Sequence, residues 1–247
     1  MISIVTVTFN NLAGLKKTFE SVALQDVDLF EWIVIDGGSQ DGTVDFLKNC
    51  SRSVKFLSES DAGIYDAMHK GLKLARGDYL IFLNAGDSFL ESSAISYMTR
   101  LLCGADVYFF ACRMSGLGAS YLRNPRPLKT ASYSVPAVQQ ATVYKVSVLK
   151  KLDWPSNYKI CGDFAIAAQL LNKNADAVCN DYVLAGFELG GVSTSRPMIL
   201  AIEAYKIQSR ILNMPFLIKI SHFGRRLLIG CCVFIAYRVR TFLNKLG

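Results

Sequence analysis

The run from Gly77 to Asp87, G-D-Y-L-I-F-L-N-A-G-D, constrains this chain more than any other stretch. Five consecutive apolar residues, Tyr79 to Leu83, leave no wet face, so the pattern predicts a central strand covered on both sides, as in an α/β sheet. In such sheets ligands collect outside the carboxyl ends of the strands. Asp87 therefore falls where chemistry is expected, although Asn84, Gly86 and Asp87 equally suit a plain turn.

The preceding sequence repeats this design. Ile2 to Phe9 is β-branched throughout and ends at Asn10-Asn11, where either amide can cap a helix over 12–24 that carries Leu12, Leu15, Phe19, Val22 and Ala23 at helical spacing. Trp32 to Ile35 is a second buried strand, stopped by the glycine-rich turn Asp36 to Thr43 ahead of a helix over 43–49. Val54 to Leu57 is a third, followed by Ser58 to Gly63 and a helix through Ile64, Met68, Leu72 and Ala75. The order β-α-β-α predicts an α/β domain with three acids, Asp36, Asp61 and Asp87, at strand ends along one edge.

Beyond Asp87 the pattern predicts a helix over about 91–102 and a strand from Asp106 to Ala111. Ser115 to Val135 reads as irregular. Arg113, Arg123 and Arg126 in and beside it suit a phosphate or other anionic substrate, or are solvated surface charges. Ala137 to Tyr144 reads as a strand, Val146 to Leu152 as a short helix, and Asp163 as an acid opening a helix, where it complements the dipole. Asp176 to Cys179 and Tyr182 to Leu189 read as two closing strands, with Gly190 to Ser195 a flexible segment.

A chain of 247 residues that is 51% hydrophobic fits one α/β domain with a tail. The start lacks the pattern of a secretory leader, so a cytosolic location is expected. Seven cysteines without a C-x-x-C pair or nearby histidines point to reduced thiols, not to disulfides or zinc. Acids and bases balance over residues 1–197, whereas 198–247 carry eight basic residues and one acid, so the formal +7 lies in the tail. A neutral body with a basic, apolar tail points to an anionic membrane surface and away from nucleic acid.

Within that tail, Pro197 to Asn213 reads as an amphipathic helix and Phe216 to Leu246 as basic and apolar by turns. Its longest uncharged run, Leu227 to Tyr237, is far below the roughly 20 residues needed to span a bilayer. Arg225, Arg226, Arg238 and Arg240 bracket it, which fits a helix lying in the membrane interface; docking on a partner subunit is the alternative.

Five segments in order, S-I-V-T-V-T-F-N, E-W-I-V-I-D-G-G-S-Q-D-G-T, S-E-S-D-A-G-I-Y-D-A-M-H-K-G-L, F-L-N-A-G-D and C-G-D-F, resemble the inverting glycosyltransferases of family 2 with the GT-A fold, from Ile2 to about Ser195. The resemblance implies a GT-A domain over 1–197, with a nucleotide-sugar-binding half at 1–90 and an acceptor half at 91–197, followed by the amphipathic tail at 198–247. It makes Asp36 the acid that accepts a hydrogen bond from the base, which suits uracil or thymine. Asp61 and Gly63 line the nucleotide pocket, and Phe9 lies against the base. Asn84 to Asp87 occupies the metal motif with Asp87 as its one charged ligand. Mg²⁺ or Mn²⁺ bridging a diphosphate needs few protein ligands, because phosphate oxygens and waters complete the octahedron.

Asp163 matches the family's base, needed because the acceptor hydroxyl must lose its proton as it attacks. Gln139-Gln140 stands near the acceptor where relatives often show His-Gln, and His69, among apolar neighbours, reads as structural. The whole implies transfer, with inversion, from a UDP- or dTDP-sugar to a glycan acceptor on a lipid carrier. Such an enzyme serves cell-surface polysaccharide synthesis, capsule or lipopolysaccharide, at the cytoplasmic face of the inner membrane, alone or as a homo-oligomer. The alternative is a noncatalytic nucleotide-sugar-binding scaffold subunit.

Overall fold

A computed structural model of the chain describes residues 1–50, 54–116, 119–188 and 196–243. Strand β1 (Ile2–Thr8) is buried along its whole length. Helix α1 (Leu12–Ala23) starts at Asn11, whose Oδ1 accepts the Gly14 amide at 3.1 Å and so satisfies one of the orphan donors of the first turn. β2 (Phe30–Asp36) pairs parallel with β1, and β3 (Lys55–Ser58) pairs parallel with β2 across helix α2 (Thr43–Asn49). After helix α3 (Ile64–Leu74), β4 (Tyr79–Phe82) returns to the opposite side of β1, again parallel. The direction of winding therefore reverses between β1 and β4, which opens a crevice at their carboxyl ends.

The second half extends the sheet past β4. Its elements are β5 (Ser88–Phe89), α4 (Ala94–Leu101), β6 (Val107–Gly116), β7 (Ala119–Arg123), β8 (Thr142–Lys145), α5 (Val146–Leu149), α6 (Gly162–Asn172) and β9 (Ala177–Glu188). The order is β3-β2-β1-β4-β8-β6-β9-β5, with β7 hydrogen-bonded to β6. β8 runs antiparallel to β4, so β4 is covered on both edges as well as both faces.

Alternation along the strands sends neighbours to opposite faces. Ile4, Trp32, Val34 and Ile81 pack beneath α1 and α4, whereas Val5, Ile33, Ile35 and Phe82 pack with Met68 and Leu72 of α3 and Ile166 of α6.

Several expectations are corrected here. The stretch read as irregular contains β7, which forms a hairpin with β6, and a 3-10 turn over Leu128–Ser132. The two closing strands are one: β9 absorbs its polar Asn180-Asp181 pair as register shifts opposite Phe110 to Cys112. The strand expected over Ala137–Tyr144 narrows to β8, because Gln139–Ala141 turns as a 3-10 helix. The segment Gly190 to Ser195 lies outside the described residues.

Helix α7 (Pro197–Arg210) buries Ala204 and Ile207 against Phe164, Ala165 and Ala168 of α6, so it belongs to the body of the domain. Helix α8 (Phe216–Leu243) folds back along α7. The two approach so closely that a Cβ on Gly230 would stand 2.7 Å from that of Pro197. Among the described residues no helix is long and apolar enough to cross a membrane.

Candidate active site

Three loops meet at the reversal point. After β2, Asp36 is fully buried, and its Oδ2 accepts the Gly38 and Ser39 amides at 3.2 and 3.0 Å and the Ser58 hydroxyl at 2.6 Å. Its Oδ1 accepts the Ser39 hydroxyl. Turn amides and hydroxyls thus converge on the carboxylate expected to meet the base, and it is buried beneath them. Ser39 in turn accepts the Asn10 amide at 2.7 Å, and Asn10 Oδ1 accepts the Gln40 amide at 2.9 Å, so Asp36 ties the β2 loop to the β1 loop.

Beside Asp36 stands Gly37, itself buried between two neighbouring loops. A Cβ there would fall 2.6 Å from Asp61 Oδ2 and 3.2 Å from the Phe9 ring. Phe9 is 62% exposed, an open aromatic face at the carboxyl end of β1 beside the Asp61 carboxylate. Asp61 Oδ1 accepts the Gly63 amide at 2.8 Å. Gly63 has φ +128°, a conformation that favours glycine, with open space where a side chain would stand.

The loop after β4 is pinned from α1. The Thr18 hydroxyl accepts the Gly86 amide at 3.0 Å and donates to the Asp87 carbonyl at 2.7 Å, while Asn11 Nδ2 donates to the Ala85 carbonyl at 3.1 Å. Gly86, at φ +105°, makes the turn possible. The Asp87 side chain is 7% exposed, and its Oδ2 accepts Gln140 Nε2 at 2.8 Å. Burial lifts its pKa to about 7 against the pull of Gln140 and the Lys17 charge. Beside it, Asn84 Oδ1 is buried without a partner.

Across from this loop, α6 begins at Cys161, and Asp163 stands in its first turn. Two residues, Tyr65 and Glu203, fix the approach. A Cβ on Gly162 would overlap the Tyr65 ring, and the Tyr65 hydroxyl donates to the Ile160 carbonyl at 2.8 Å. Glu203, from α7, accepts the Lys159, Ile160 and Cys161 amides at 2.7, 2.9 and 2.9 Å. Asp163 Oδ1 accepts the Phe164 amide at 2.7 Å. Burial nevertheless raises its pKa to about 6, with the Phe164 amide and the Arg123 charge pulling the other way.

A cavity of about 570 Å³ joins the two sides: Asn84, Gln139 and Gln140 line it together with Asp163, Arg123 and Arg226. Asp87 reaches it through Gln140. Phe9, Asp61 and Gly63 do not line it, nor does the buried Asp36; Ile64 and Tyr65, which follow Gly63 at the start of α3, do. Gln139 donates to Met68 Sδ at 3.5 Å and Gln140 to Asp87, so both amides are engaged in holding the wall. His69 stacks on Trp154 with centroids 5.2 Å apart, a packing role.

The metal motif fits a divalent ion that takes most of its ligands from elsewhere. Its donors are one carboxylate and one unpartnered amide oxygen, and among the described residues no group of three or more His, Cys, Asp or Glu could hold a metal alone.

The model of the family described as "Glycosyl transferase family 2" matches residues 3–174. An uncharacterised glycosyltransferase of Mycobacterium tuberculosis H37Rv is 34% identical over 212 residues, covering 79% of this chain and 78% of its own. The chain belongs to glycosyl transferase family 2. A second relative, a PGL/p-HBAD biosynthesis glycosyltransferase of Mycobacterium bovis BCG, is 38% identical over 106 residues, 41% of each chain. Among solved structures, S. aureus TarS 1-349 in complex with UDP-GlcNAc superposes with TM-score 0.67 at 16% identity, over 92% of this chain and 71% of that one. Mannosyltransferase PcManGT from Pyrobaculum calidifontis, in complex with GDP-Man and Mn²⁺, gives 0.67 at 14% identity, over all of this chain and 75% of that one. Both likenesses establish the GT-A fold.

Sequence reasoning missed two positioning residues of this family 2 glycosyltransferase, Thr18 and Glu203. Thr18 carried no signal, being one polar residue on an amphipathic helix. Glu203 did: it is the one acid in the last fifty residues, and an acid kept alone in a basic, apolar segment marks a buried partner.

Proposed function

We propose that this glycosyltransferase moves a sugar, with inversion, from a nucleoside diphosphate donor to an acceptor hydroxyl deprotonated by Asp163. The observation that carries this is the single cavity in which Asp163 faces Asn84 and the Gln140 that holds Asp87. The acceptor oxygen forms its bond to the anomeric carbon as the bond from that carbon to the diphosphate oxygen breaks. The leaving nucleotide keeps the bonding electron pair, and the hydroxyl proton passes to Asp163. A pKa of about 6 leaves Asp163 ionised at neutral pH yet basic enough to share a proton in the transition state.

On the donor side, the exposed Phe9 ring offers a stacking face for the base. Asp61 offers the carboxylate that a uracil or thymine imide can reach, and Asp36 shapes the loop beneath them. Asn84 Oδ1 and the Asp87 carboxylate would hold Mg²⁺ or Mn²⁺. Such an ion supplies charge neutralisation for the leaving diphosphate. The fold neighbours hold UDP-GlcNAc and GDP-Man, which supports a sugar-nucleotide donor.

The acceptor is a glycan or alcohol presented at an anionic membrane surface, supported by the apolar side chains that α8 exposes, among them Leu228, Ile229 and Ile235, beside its arginines. Cell-surface glycan assembly at the cytoplasmic face is the setting this implies. Incubation with UDP-, dTDP- and GDP-sugars and Mn²⁺ tests the proposal. Slow release of sugar to water from one of them, lost in Asp163→Asn, is expected. No turnover of any donor, with nucleotide binding intact, would favour a noncatalytic scaffold.

A further inference from the structure

The acceptor side of the cavity holds two guanidinium groups whose hydrogen-bonding capacity the fold uses only in part. Arg123, at the end of β7, donates Nη2 to the Val135 carbonyl at 3.2 Å, and its Nε is buried without a partner. Arg226, on α8, donates Nη2 to the Tyr133 carbonyl, and its Nη1 is likewise buried without a partner. Each grips the same strip of main chain, two residues apart, with one nitrogen. Among the described residues neither forms an ion pair. A guanidinium N–H left unmade in the interior is costly, and two in one cavity mark a place built for something absent from the fold.

We propose that Arg123 and Arg226 form an anion subsite for the acceptor, taking the phosphate that joins its lipid to its reacting part, so that α8 is a wall of the acceptor site. This rests on the assignment of Asp163 as the base. The pair lies on the Asp163 side: the Arg226 guanidinium carbon sits 4.9 Å over the ring of Phe164, the next residue, and both arginines line the cavity with Asp163. Planar forks match phosphate oxygens two at a time, which a lysine cannot do. The lipid is indicated by the surroundings. Val135, Phe187 and Leu200 give the cavity apolar walls, and the helix that supplies Arg226 exposes Leu228 and Ile229 just beyond it.

The test is calorimetric titration of hexyl phosphate, and of hexyl glucoside as the uncharged match, into the full chain saturated with whichever of UDP, dTDP or GDP it binds. Hexyl phosphate should bind beside the nucleotide and hexyl glucoside at least tenfold more weakly. Arg226→Gln and Arg123→Gln should each weaken hexyl phosphate at least tenfold, with Arg226→Lys restoring only part. Because Arg226 also braces Tyr133, Arg123→Gln on a separate element decides the matter if the Arg226 variant melts early. Displacement of hexyl phosphate by the nucleotide would assign the pair to the donor diphosphate and overturn the proposal, as would equal binding of hexyl glucoside or undiminished binding by the variants. Failure of all three nucleotides to bind would count against the donor reading. Hexyl phosphate titrated into the free protein would then still decide the subsite.

Discussion

Asp163 and Asp87 are both lifted above the ordinary carboxylate range by burial, to about 6 and about 7, with different consequences. Asp163 is ionised at neutral pH, so kcat/KM should climb with pH through about 6 and then level off. Asp87 is half protonated near neutrality, and a divalent ion must displace that proton. The apparent affinity for Mn²⁺, read by titration with nucleotide present, should therefore rise through pH 7 and fall at least tenfold in Asp87→Asn. In the metal-free protein both carboxyls hold a proton more tightly folded than unfolded. Stability should then be greatest below about pH 4 as far as these groups decide it, and decline as pH rises through 6 and 7. Thermal melts of Asp87→Asn should show a shallower decline across that window. The carboxylates were legible in the sequence because each closes a strand or opens a helix; the inward turn of Asp36 was not, since which way a turn's amides point depends on Ser39 and Ser58 folding over it.

At the scale of elements, α6 is placed by residues from α3 and α7, not by its own sequence. Glu203 satisfies three amides that lead into it, so Glu203→Ala strands buried donors and should cost about 2–4 kcal/mol in chemical denaturation. If Glu203 positions Asp163, Glu203→Gln should lower kcat more than it raises the donor KM and leave the apparent pKa near 6 in place. A parallel rise in KM alone would assign it to stability only. The β-α-β-α half was readable because its periodicity is local. The second half was not, because the bulged β9 and the packing of α7 on α6 depend on partners distant in sequence, and β7, though it pairs locally with β6, is an exposed strand with no buried face to set a pattern. The basic bias of residues 198–247 hid the packing of α7, since its buried face holds only two alanines and one isoleucine beside the polar Glu203 and Gln208.

For the molecule as a whole, the neutral body and the exposed apolar and basic side chains of α8 predict binding to anionic vesicles that weakens with salt. Ile229→Glu with Ile235→Glu should abolish flotation with phosphatidylglycerol vesicles while thermal melts stay unchanged; retained flotation would remove the membrane role. The account as a whole turns on one carboxylate meeting the acceptor hydroxyl across a cavity from the donor loop. Its most direct test is Asp163→Asn, measured for sugar transfer and for nucleoside diphosphate binding on the same preparation. Binding within twofold of the parent, with transfer reduced by about 10²–10⁴, is the predicted result; transfer at the parental rate would contradict it.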